Sequence, residues 1–143
     1  MPRLPALEPE AAGGAHDNLL RTIAATPEIA RSAVAHANAV MESGTVPQST
    51  KELCATMVAG LNFCQPSLIA HRGRARRLGI DAGTLNDLWD YARSDRFDAA
   101  QKAALAAAVA LTREPRGLPD TIWNDLRTHY DDAQIVEILS AIG

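Results

Sequence analysis

Cys64, Ser67 and His71 stand at spacings of three and four in the stretch "NFCQPSLIAH". At about 100° per residue, helix positions three, four and seven apart share one face, so these side chains form a single polar stripe. Gln65 and Pro66 follow Cys64. Proline suits the first turn of a helix, where its missing N–H costs nothing. Cys64 is therefore expected at a helix N-terminus, where the positive end of the dipole favours thiolate and lowers the thiol pKa.

Glu52 enters by a second geometric argument. If the chain reverses at "GLNF", the two flanking helices run antiparallel. Glu52 then lies roughly 12 Å back from Gly60, and His71 roughly 10 Å along from Cys64, at about the same height. A carboxylate facing an imidazole orients it and stabilises its charged form, the usual arrangement for proton transfer. Phe63 and Leu68 flank the stripe and are candidates for an apolar, substrate-binding wall beside it. Each residue also has a plain structural reading. A cysteine in an alanine-rich helix is most often a small buried hydrophobe. His71 opens the basic run "HRGRARR", which reads as solvated helix surface, and Glu52 can serve as a first-turn dipole partner.

The elements that must position these residues are well punctuated. Residues 1–15, rich in Pro, Gly and Ala, read as an extended arm, and 16–143 as a single helical domain. Asn18 to Ala25 suggests a short helix stopped before Pro27. Thr26, Pro27 and Glu28 open the next helix as cap, first position and dipole partner, and Gly44 ends it. A further helix runs to about Gly60, and another from Cys64 to Leu78, with Gly79 as a stop. Asp81 to Ala92 suggests a shorter helix carrying Trp89 and Tyr91. "FDAAQKAALAAAVALTRE" is alanine-rich, Asp120 is expected to cap "TIWNDLRTHY", and "DDAQIVEILSAIG" begins a last helix. The pattern predicts an all-α bundle of about seven helices with no strand of convincing length.

Composition agrees. The 143-residue chain is 47% hydrophobic, much of it alanine, and only 4% aromatic. That balance favours helices packed through small side chains over a β-sandwich. With so few aromatics, Trp89, Tyr91 and Trp123 are expected in core packing before a pocket. A net charge of −3 gives no reason to expect a nucleic-acid partner. Two cysteines make no disulfide framework, and no apolar run has the length of a signal core or a membrane span, so a cytoplasmic location without membrane association is expected. His16, His36 and His129 show no ligand spacing with Cys64, so neither a metal nor another cofactor is expected.

The stretch "STKELCATMVAGLNFCQPSLIAHRGRARRLGI" resembles the core of the alkylhydroperoxidase D and carboxymuconolactone decarboxylase superfamily. That pattern has a glutamate, a CxxC beginning twelve residues later, and a histidine four after its second cysteine; Glu52, Cys64 and His71 fit it. The flanks "NLLRTIAATPEIARSAV", "FDAAQKAALAAAVALTREPRGLPDTIWNDL" and "IVEILSAIG" resemble members along nearly the whole chain. The resemblance implies an all-helical, AhpD-like fold assembling as homotrimers or homohexamers, with a neighbouring subunit able to complete the pocket. Members often continue past the final "AIG" with another helical stretch, so the chain is expected to be short there.

Ser67 departs from that pattern, standing where the second cysteine of the CxxC would be. In the peroxidase branch that cysteine attacks peroxide and the first one resolves it. A serine hydroxyl forms no sulfenic acid, so this route loses its nucleophile. Cys54 is a poor substitute, since antiparallel helices leave it about 10 Å or more from Cys64, beyond the ~7 Å Cα limit for a disulfide. Three functions follow. The leading one is a cofactor-free enzyme using Glu52 and His71 as acid and base on a small organic substrate, by decarboxylase, lyase or isomerase chemistry, with Cys64 and Ser67 binding the substrate or orienting the histidine. The runner-up is a one-cysteine alkyl hydroperoxide reductase in which Cys64 attacks and an external thiol resolves. The third is a catalytically silent relative kept for binding or assembly.

Overall fold

The computed structural model describes residues 3–8 and 18–143. The expected arm boundary at 15/16, and His16, lie outside the described residues. Among those residues the fold is all-α, with no strand. Eight helices follow one another: α1 (Asn18–Ile23), α2 (Pro27–Glu42), α3 (Gln48–Leu61), α4 (Gln65–Arg77), α5 (Ala82–Asp87), α6 (Ala99–Arg113), α7 (Asp120–His129) and α8 (Asp132–Ile142).

The chain divides into two compact units, one up to Ala39 and one from Val40 to Gly143. In the first, Leu7 N–H donates to the Arg21 carbonyl (3.2 Å) and Arg21 Nε donates back to the Leu7 carbonyl (2.5 Å), tying residues 3–8 to α1. The second unit holds the residues singled out above. α3 is its central element and packs against α4, α6 and α8. Leu53, Cys54 and Met57 of α3 belong to one core cluster with Leu105 and Ala108 of α6 and Ile135 and Ile138 of α8. Ala103, Ala104, Ala107 and Ala108 are fully buried. Their small side chains let α6 approach closely at little entropic cost.

Two helices begin with reciprocal caps that fix where they start. Asp98 accepts from Gln101 N–H (2.7 Å) while the Gln101 side chain accepts from Asp98 N–H (3.1 Å), and Asp131 and Gln134 repeat the scheme before α8. Asp120 does not play that part in α7. The cap position belongs to Pro119, whose carbonyl accepts the N–H groups of Ile122 and Trp123, so Asp120 is the first helical residue and acts on the dipole. The helix expected over Asp81–Ala92 also breaks. α5 stops at Asp87 and a 3₁₀ turn covers Leu88–Asp90, because Asp87 accepts from Ser94 Oγ (2.9 Å) and pairs with Arg96 (3.2 Å), folding the chain back.

An unexpected charge lies at the base of α3. Lys51 is 1% exposed, yet its ammonium is fully partnered. It donates to the carbonyls of Val40 (3.0 Å) and Ser43 (2.5 Å) and pairs with Glu137 of α8 at 2.9 Å. Glu137 also accepts the N–H groups of Thr45 (2.9 Å) and Val46 (3.0 Å). Gly44, at φ +86°, leaves room for this carboxylate, since a Cβ there would stand 2.1 Å from it. The end of α2, the start of α3 and the middle of α8 are thereby clamped together.

Candidate active site

The site is built on the α3–α4 hairpin. α3 ends in a reversal whose hydrogen bonds define a Schellman motif: Phe63 N–H donates to the Gly60 carbonyl (3.0 Å) and Cys64 N–H to that of Ala59 (2.9 Å). Phe63 occupies the left-handed position at φ 54°, a place usually filled by glycine. The reversal delivers Cys64 to the cap position of α4, with Pro66 in the first turn.

Antiparallel α3 and α4 bring Glu52 and His71 together. His71 Nδ1 lies 2.7 Å from Glu52 Oε2, and Glu52 is fully buried behind it. Arg74 completes the pair by donating from Nε to Glu52 Oε1 at 3.1 Å, with Nη2 3.2 Å from His71 Nδ1. An ionised carboxylate only accepts, so the proton of the short contact runs from His71 Nδ1 to Glu52, and Arg74 Nη2 then stands beside that nitrogen without donating to it. This tautomer follows from the hydrogen-bond network. It leaves Nε2 as the ring nitrogen outside the pair. Both carboxylate oxygens are hydrogen-bonded and the Arg74 guanidinium supplies the opposite charge, which a buried carboxylate requires.

His71, Cys64 and Ser67 line one pocket of about 300 Å³ between α3, α4 and the end of α8, closed on its apolar side by Ala55, Val58 and Ile142. Cys64 is exposed and its Sγ lies 3.3 Å from Ser67 Oγ. The Ser67 hydroxyl, with the Ser67 backbone N–H behind it, holds the Cys64 thiol below its usual range. Cys54 is the opposite case. It is buried under α3, and desolvation pushes its thiol up to about 12, so it stays protonated and inert. Both thiols are free.

Phe63 and Leu68 do not line this pocket. Phe63 is 88% exposed, and Leu68 is half-buried. Trp89 lies half-exposed against Gly60, Tyr91 packs on the core, and Trp123 both packs on the core and lines a separate hollow. Arg74 is the site residue that sequence reasoning missed. The signal was available: continuing the stripe of Cys64, Ser67 and His71 by one more step of three reaches Arg74. The basic run is also less solvated than expected, because Arg72 donates to the Leu85 carbonyl (3.3 Å) and to Asn86 (3.1 Å). Among the described residues no group of three or more His, Cys, Asp or Glu side chains could hold a metal ion, and no helix is long and apolar enough to cross a membrane.

An all-helical unit carrying a cysteine, a histidine and a buried glutamate on one hairpin defines a class of protein. The chain belongs to the carboxymuconolactone decarboxylase family, whose sequence profile matches residues 27–110. It is 26% identical over 103 residues to the uncharacterised protein YdfG of Bacillus subtilis, covering 71% of this chain and 70% of that one. An uncharacterised peroxidase-related protein from Silicibacter superposes with a TM-score of 0.79 at 26% identity, over 88% of this chain and 67% of the other. A protein of unknown function from Agrobacterium tumefaciens, whose name associates it with the antioxidant defence protein AhpD, superposes at 0.77 with 27% identity, over 85% and 83% of the two chains.

Proposed function

We propose that the protein is a single-thiol peroxidase of this family, with Cys64 as the attacking group. The observation that carries this reading is the setting of Cys64: an exposed thiol at a helix N-terminus, held below its usual pKa by Ser67, in the same pocket as His71. The likeness to a peroxidase-related protein and to an AhpD-associated one supports it. In the proposed reaction His71 Nε2 takes the Cys64 proton, while Glu52 and Arg74 hold the imidazole in place. The thiolate attacks the terminal oxygen of a hydroperoxide, forming a sulfenic acid as the O–O bond breaks, and the departing alkoxide recovers the proton from His71. Ser67 cannot form a disulfide. An external low-molecular-weight thiol therefore displaces water from the sulfenic acid, and a second thiol releases Cys64 and a free disulfide.

A second reading rests on the 2.7 Å contact between Glu52 and His71 alone. The pair would act as acid and base on a small organic substrate, such as a lactone, with Cys64 as a binding group. Peroxide consumption with added thiol separates the two. Cys64→Ala should abolish it, Cys54→Ser should leave it unchanged, and His71→Ala should lower it on the order of a hundredfold. If the wild type consumes no peroxide and Cys64 alkylates with an ordinary pKa, the thiol reading fails and the acid–base pair is the one to assay. Under either reading we propose assembly into a trimer or hexamer, as the family resemblance implies; a monomer by light scattering would remove that element.

A further inference from the structure

Three hollows in the Val40–Gly143 unit share walls. The pocket of Cys64, Ser67 and His71 has Val58 and Ile142 in common with a second hollow that reaches Leu111. The second shares Leu111 and Leu139 with a third, which ends at Leu118 and Trp123. Each has a volume of about 300 to 360 Å³, and small-molecule sites begin at that size. Taken in order through these shared walls, the three lie along one line that starts at the Cys64 pocket, follows the seam between α3 and α8, and crosses the end of α6 to reach α7; together they are called the trough.

The two ends of the trough differ in chemistry, and the middle is mixed, with Asn62 and Thr112 beside Leu111 and Leu139. One end presents a thiol, a hydroxyl and an imidazole; the other presents leucines and an indole. Asp120 sits on the far rim. A cation beside that indole, Arg127, lies 5.8 Å over the Trp123 ring and pairs with Asp132 at 3.2 Å. The far end thus suits an uncharged apolar group, and an anionic one would meet Asp120. We infer that the trough is a tail subsite: it takes a substrate whose reacting end lies at Cys64 and whose uncharged alkyl or aryl tail runs past Val58, Leu111 and Leu139 to Trp123. That the reacting end is a hydroperoxide rests on the function proposed above; that a tail binds does not.

The test reads occupancy without turnover. Linear primary alcohols, the reduced products of alkyl hydroperoxides, are added from ethanol to octanol while Cys64 is alkylated with iodoacetamide. A tail subsite predicts that the alcohol concentration for half-protection falls with each added carbon. The fall should be about twofold per methylene in this open trough, against about fourfold for full burial. Leu111→Asn should flatten that dependence, and the wild-type series decides the matter if this variant does not fold. Equal protection by all lengths, or none, overturns the subsite; a trough covered by a second copy or a further segment would give that result. A clear length dependence in a protein that reduces no hydroperoxide supports the subsite and removes only the peroxidase reading.

Discussion

Lys51→Met tests whether the buried clamp at the base of α3 holds the hairpin in place. The substitution keeps an unbranched stem of similar bulk and removes the ammonium from a site that is 1% exposed. Two carbonyls, of Val40 and Ser43, lose a donor, and Glu137 loses the side-chain cation it has among the described residues while keeping the Thr45 and Val46 N–H groups. Breaking a buried ion pair by deleting one partner typically costs about 3–5 kcal/mol. Against a total stability of about 5–15 kcal/mol, that is a large share. For a chain of this length, about 3 °C per kcal/mol gives a fall in Tm of roughly 10–15 °C. Urea denaturation followed by helical circular dichroism measures the loss directly. A double variant with Glu137→Gln should lose less than the sum of the two single losses, because both remove one shared contact. Acid supplies a separate readout. Desolvation raises the Glu137 carboxyl, but the Thr45 N–H, the Lys51 ammonium and the Val46 N–H together hold it below its usual range. Its contribution is therefore fully present above the ordinary value of about 4.3 and is lost as pH falls through the lower folded value. Lys51→Met should weaken that acid dependence without abolishing it. A loss below about 1 kcal/mol with an unchanged acid limb would refute the reasoning.

Ser67→Ala removes the main group that lowers the Cys64 pKa, so the pH profile of Cys64 alkylation should move upward; an unmoved profile would show that the hydroxyl has no influence on the thiol. Phe63 pairs a left-handed backbone with an exposed ring, so Phe63→Gly should exceed Phe63→Ala in stability by about 0.5–1 kcal/mol in matched melts, since both lose the ring and only glycine relieves the strain. Equal melts would mean that the turn tolerates a Cβ freely. Gly44→Ala combines a positive φ with a collision against Glu137 and should cost about 1–3 kcal/mol; a neutral result by thermal melt would place the carboxylate elsewhere.

The juxtaposition of Glu52 and His71 was legible in the sequence because helix rise is fixed and the reversal was marked by Gly60 and Asn62. Two local rules then set a tertiary distance. The all-α class was legible for a similar reason, since alanine content and punctuation act within a few residues. Arg74 and Lys51 were not legible as inward-facing groups. Both are charged residues whose default place is solvent, and what turns them inward lies far along the chain: Glu52 for Arg74, and Glu137 of α8 for Lys51. Asp120 looked like a cap by type, but Pro119 already had the extended backbone that the cap position needs. The break after α5 depended on Arg96 and Ser94 reaching back to Asp87, a contact that no windowed pattern contains.

Every polar member of the site, from Glu52 to Arg74, lies on one helical hairpin closed by a short reversal. Such contacts have small sequence separation, so they form early and at low loop-closure cost during folding. The hollows proposed to take a substrate tail are walled largely from elsewhere, by α6, α7 and the end of α8, with Val58 the wall residue contributed by α3. The proposed reactive group and most of the proposed recognition surface thus lie on separate parts of the chain. On that proposal, changes in the later helices alter what the trough accepts without disturbing the α3–α4 hairpin, and pulsed hydrogen exchange during refolding should show the α3–α4 amides protected before those of α7.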